Sequence, residues 1–322
     1  AYERNTDFPD GKKELVPVMA IYGANAAGKS NVIHALLLMR EMVCGSFAKP
    51  LKGDELPYEP FAFVDGETDP TAFEIIYYYD GIKYAYGFSF DNDRIINEYL
   101  YHWPNGREAL VFSREKDQYE FRESIQEQLT LAGRTSENRL YLTSSNEWNC
   151  AQTEKAYLWF QQKLRGLITT GVSNETTIDA IRKGGEDKKN VVKEMMLADL
   201  GICNVVLSGT KEKPIVSTVH QLTDDNGNQK QYTLQLGQES VGTQRFFSRI
   251  GLWMDAMNSG AVLVVDEIEA GMHPLLTRHL IEMIQDQTIN QNHAQLDLYH
   301  QRYGATGFEI ASGANQIWFA EK

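Results

Sequence analysis

The spacing of apolar and polar positions changes several times along the chain, and each change marks an element. Val16 to Tyr22 is a short apolar run, read as a buried strand, and Asn31 to Arg40 is apolar and helix-compatible. Ser46 to Asp69 is irregular and punctuated by Pro50, Pro57 and Pro60. Phe73 to Tyr79 and Ile82 to Phe88 flank Asp80-Gly81, which predicts a hairpin. Ile95 to His102 and Leu110 to Ser113 extend this antiparallel set through a turn at Asn105-Gly106. From Ser124 to Leu200 the period becomes helical. Thr153 to Ile168 carries Tyr157, Phe160, Leu164 and Leu167 on one helical face. Thr176 to Arg182 and Lys188 to Leu200 read as helices too, with Met195, Met196 and Leu200 in the core, and charged Arg182 to Lys189 reads as a solvated linker. Strands return at Val205 to Leu207, Ile215 to Leu222 and Gln231 to Leu236. A helix opens near Ser240 and runs to about Asn258; the apolar run Ala261 to Val265 follows.

The interval Gly23-Ala24-Asn25-Ala26-Ala27-Gly28-Lys29-Ser30 fits G-x-x-x-x-G-K-[ST]. It lies between the first strand and the first helix, where backbone N–H groups and the positive end of a helix converge on phosphates. Gly23, Asn25, Ala26, Ala27, Gly28 and Asn31 are the candidate loop contacts. Lys29 reaches the outer phosphates of a nucleoside triphosphate in such a loop, and the Ser30 hydroxyl holds Mg²⁺. The run Ala261 to Val265 ends in Asp266 and Glu267, which puts two acids where ligands bind in open α/β sheets. Asp266 is the expected partner of Mg²⁺, and Glu267 is expected to orient or deprotonate the attacking water. Ser240 and Gly242 open the helix just before this strand, read as a second anion site, with an ordinary helix cap at Ser240 or Thr243 as the alternative. The cluster Asp91-Asn92-Asp93 is read as turn chemistry, not a metal site.

Composition narrows the picture. A 42% hydrophobic and 11% aromatic content supports a large core in 322 residues. No run approaches the ~18 apolar residues of a membrane span, so no membrane partner is expected. Cys44, Cys150 and Cys203 show neither zinc spacing nor a disulfide framework, which fits a cytoplasmic protein. The net charge of −13 argues against wrapping nucleic acid, so any such contact is local or made by a partner. Neither end looks like a domain edge, and flanking sequence is expected at both.

The three motifs in this order resemble ABC-type ATPase heads of the structural-maintenance-of-chromosomes, RecF and OLD kind. The likeness is closest to bacterial abortive-infection ATPases (AbiL- and RloA-like) of phage defence, through Glu239 to Arg245 and Asp266 to Pro274. The resemblance implies an α/β P-loop fold with an antiparallel β subdomain and a helical insertion. It divides the chain into residues 1–123, an insertion at 124–204, and 205–322. It implies ATP and Mg²⁺ as cofactors and a head-to-tail dimer, or higher oligomer, sandwiching two ATPs. In that arrangement Ser240 and Gly242 of one head meet the nucleotide of the other, and Glu269 to His273 touches the partner subunit. His273 serves equally well as a helix start beside Pro274. The resemblance also implies a partner effector such as a nuclease. A repair-type ATPase acting directly on DNA, and a nucleotide-gated scaffold with little hydrolysis, are the alternatives.

These heads carry another buried strand ending in a switch residue, expected here after Ala294-Gln295. The residues present, Leu296 to Gly307, do not suit it: Asp297 and Gln301 are poor in a central strand. One reading makes His300 the switch. Another is a compensated frameshift, because codons for Leu-Ile-Phe-Thr-Thr-Ser-Asp-Thr-Gly-Leu-Leu-Asp, with one G inserted after the first, spell the segment as it stands.

Overall fold

A computed structural model describes residues 16–23, 28–60, 69–167, 173–198, 201–223, 227–300 and 317–320. The side chains of residues 22, 167, 298–300 and 317–320 are outside this description. The fold is α/β. The chain forms two compact units, one containing residues 31–164 and the other containing 16–30 and 165–320. The boundary falls inside the first helix, after Ser30. The helices of the 124–204 stretch are divided between the two units.

The unit of 31–164 is built on a five-stranded antiparallel sheet. Its strands are β2 (Thr71–Tyr79), β3 (Ile82–Phe90), β4 (Ile95–Trp103), β5 (Ala109–Glu115) and β6 (Gln118–Phe121), in sequence order. The first hairpin is pinned by Asp80 and Gly81 at φ 52° and 73°, the mirror-image turn that matches strand twist. Asp91 is a turn residue: its carboxylate accepts from the Asp93 and Arg94 N–H groups. Three helices, α2 (Ile125–Ala132), α3 (Tyr141–Glu147) and α4 (Ala151–Gln162), complete the unit with most of α1 (Lys29–Cys44). Tyr77 on the sheet stacks on Trp159 of α4 at 4.3 Å between centroids and donates to Ala156 O at 3.1 Å.

The other unit holds a five-stranded sheet in the order β13-β1-β12-β11-β7: Ile317–Ala320, Val18–Gly23, Gln295–His300, Val262–Asp266 and Leu164–Leu167. The pairs β13–β1, β1–β12 and β12–β11 are parallel. A three-stranded antiparallel sheet, β8 (Ile202–Gly209), β9 (Pro214–Thr223) and β10 (Gln229–Gln235), is separate. Helices α5 (Glu175–Lys183), α6 (Gly185–Ala198), α7 (Val241–Ser259) and α8 (Pro274–Gln285) enclose the core. Its centre is Phe246, Phe247, Ile250 and Trp253 of α7 against Leu263 and Val265 of β11 and Leu280 of α8, all fully buried. The Trp253 indole donates to Leu280 O at 2.9 Å, so no polar atom is stranded there.

Three expectations need correction. The helix of Thr153 to Ile168 stops at Gln162, and Leu164 to Leu167 form β7 beside β11, since pairing into the sheet outweighs a four-residue local preference. The charged run Arg182 to Lys189 is not a linker. Gly184, at φ 72°, breaks the chain between α5 and α6, and ion pairs Lys183–Asp187 and Lys189–Glu186 lie along the solvent side. Met195 is fully buried but Met196 is exposed; Leu200 lies outside the described residues. Among the described residues no helix is long and apolar enough to cross a membrane.

Candidate functional site

Strand β1 and strand β11 are not neighbours; β12 lies between them. Their carboxyl ends nevertheless share one edge, because the register pairs Tyr22 with His300 and Asp266 with Tyr299. The phosphate-loop candidate and the twin acids therefore emerge side by side, where parallel sheets bind ligands. The Ser30 hydroxyl donates to Asp266 Oδ2 at 3.1 Å, across 236 residues of sequence. Lys29 precedes it in the first turn of α1 and is 7% exposed. Gly28 sits at φ 82°, a conformation strained for any side chain, with open space where a Cβ would stand. Asn31 is exposed on α1. Asn25, Ala26 and Ala27 lie outside the described residues, and Gly23 is the last residue of β1.

Glu267 follows Asp266 with φ 49°, left-handed for a residue with a side chain. The turn is closed by Ala270 N–H donating to Glu267 O at 2.9 Å, and Met272 N–H donates to Glu269 O at 3.1 Å. Burial, reinforced by Glu267 and Asp266, raises the carboxyl of Glu269 above the usual range. His273 caps α8: its Nδ1 accepts from Leu275 N–H at 3.3 Å, and Pro274 occupies the first helical position. A ligand set of one hydroxyl and one carboxylate is hard-oxygen chemistry and suits Mg²⁺ rather than a soft metal.

The helix start anticipated near Ser240 is real. Ser240 caps α7 and accepts from Thr243 N–H at 3.1 Å, while remaining exposed. Three contacts not foreseen tie this turn down. Glu239 accepts from Thr218 and shares a 2.7 Å hydrogen bond with His220 Nε2, fixing the approach to Ser240 against β9. Arg245 donates to Ala270 O and packs over Gly271, where a Cβ would collide with its guanidinium. The α7 start is thus joined to the turn behind Glu267. The i, i+4 placement of Arg245 and Arg249 within a helix of aromatic residues was the available signal for this face.

His300, the expected switch residue, ends β12 between β1 and β11; its side chain is outside the described residues, as is Gln301. Contrary to the doubt raised by the sequence, Gln295 to His300 does form a central strand, since each flank offers a parallel partner. Asp297 is half-buried between Met19 and Val264, and burial pushes its carboxyl up to about 6.

A protein-family model described as "AAA domain, putative AbiEii toxin, Type IV TA system" matches residues 18–298. No curated protein matches the chain.

Proposed function

Since the chain belongs to this AAA-domain family of P-loop ATPases, we propose that it is an ATP-binding and hydrolysing head of the ABC type, closest to the AbiL- and RloA-like abortive-infection ATPases, that pairs around ATP and controls an effector in anti-phage defence. The 3.1 Å contact between Ser30 and Asp266 is the observation that carries this reading. Bound ATP supplies an activated phosphoryl group, and phosphoryl transfer to water needs mainly positioning and charge neutralisation. Ser30 and Asp266 would hold Mg²⁺. Lys29, buried at the base of α1, would neutralise outer phosphate charge. Glu267 would accept a proton from water, its left-handed backbone turning the chain sharply out of β11. Exposed Ser240 and half-buried Gly242 are offered to a second copy, which would complete each site. An effector such as a nuclease would read the paired state.

The test is Glu267→Gln. ATP binding should persist, the nucleotide-bound dimer should accumulate in gel filtration with light scattering, and turnover should fall at least ~100-fold. Turnover at the wild-type rate would remove Glu267 from the mechanism. A nucleotide-gated scaffold with little hydrolysis is the second reading. It is favoured by Asp297, an acid in the strand that leads to His300.

A further inference from the structure

A cleft of about 660 Å³ lies on the face of α7 carrying Gln244, Arg245 and Arg249, between Asn174 at the start of α5, Ile215 of β9 and Gln235 of β10. Its size is that of a small-molecule site. Its wall includes two guanidiniums, Arg245 and Arg249, with Glu269 as the acid acting on Arg249. Arg249 is 1% exposed, and its Nε and Nη1 are buried without a hydrogen-bond acceptor. Burial, with Arg245 beside it, lowers this guanidinium to about 10, while Glu269 pulls the other way. An arginine at that value is still charged at neutral pH. Buried charges are ordinarily paired or hydrogen-bonded, because an unpaired one is costly. Here Arg249 lines an open cleft with its buried Nε and Nη1 unbonded, and the neutral amide residues Asn174, Gln235 and Gln244 line the same cleft.

We propose that this cleft is a binding site for a small oxyanion-bearing molecule, one whose phosphate or carboxylate group accepts from Arg249. Planar guanidinium donors are well matched to both groups. The apolar side of the cleft at Ile215 would take the rest of the molecule. Because Arg245, on the same wall, donates to Ala270 O, occupancy is transmitted to the turn that carries Glu267. The site is independent of whether Glu267 hydrolyses ATP.

The probes are inorganic phosphate and, separately, citrate, titrated at constant ionic strength against chloride. The protein is the Lys29→Ala variant, so that the phosphate loop lacks its cation. Thermal unfolding is the readout. The midpoint should rise by about 2 °C once the anion is tenfold above its dissociation constant. A rise with phosphate only assigns a phosphorylated ligand, and one with citrate only a carboxylate. Adding Arg249→Met should abolish the rise. Adding Ile215→Trp, which obstructs the cleft without touching the guanidinium, should reduce it at least threefold and keeps the test valid if the arginine variant does not fold. No rise with either anion, or an undiminished rise in the Ile215→Trp protein, would overturn the proposal.

Discussion

Each unit buries an arginine, and the two are treated in opposite ways. In the antiparallel unit Arg114 and Glu98 are both essentially inaccessible, 3.7 Å apart, and surrounded by partners. Glu98 accepts from Tyr141 N–H at 2.6 Å, Leu142 N–H at 2.9 Å and the Tyr86 hydroxyl at 3.0 Å. Arg114 donates to Lys116 O and Arg139 O, each at 2.7 Å. In the other unit Arg249 has Glu269 as a counter-charge but two nitrogens without hydrogen-bond acceptors, and Asp297 is confined within a parallel sheet. The difference separates structural charge from charge held ready. A satisfied network fixes one packing of β4, β5 and α3, whereas an unsatisfied guanidinium beside a cleft is pre-organised for something arriving from outside.

The comparison can be broken most forcefully at Glu98. Glu98→Ala strips a carboxylate from several donors and leaves Arg114 without its counter-charge, and should cost about 3–5 kcal/mol in urea unfolding. A cost below about 1 kcal/mol would mean that the network is incidental. Asp297→Val should act in the opposite direction. The folded state raises this carboxyl from 3.8 to about 6. The penalty is therefore absent below pH 4, grows as the unfolded chain ionises first, and is complete above about pH 6. The variant should gain roughly 2–3 kcal/mol at pH 7.5 without nucleotide, and much less at pH 4. An equal gain at both pH values would point to packing rather than charge. At the small end is the exposed Lys155–Asp80 pair beside the first hairpin. Lys155→Ala should leave the urea midpoint unchanged within error, because solvent screens such pairs.

Much of the site was legible because its chemistry is local. Gly28, Lys29 and Ser30 sit at fixed offsets in one turn, Asp266 and Glu267 close one apolar run, and Ser240 is a cap whose donor is three residues away. The hairpin at Asp80-Gly81 was readable for the same reason. The helix reading of Leu164 to Leu167 failed because two leucines three apart satisfy a helical face, and only a neighbouring strand decides otherwise. Arg182 to Lys189 failed because charge alone does not distinguish a loop from the wet side of a helix.

The sequence by itself determined which residues could hold a phosphate and a metal, since glycine conformation, hydroxyl and carboxylate chemistry are properties of short segments. Only the tertiary structure decided that Ser30 and Asp266 meet, that β12 lies between β1 and β11, and that Arg249 lines a cleft with two nitrogens lacking hydrogen-bond acceptors. Those facts depend on strand order and helix packing between segments far apart in the chain, and no local pattern encodes such distances.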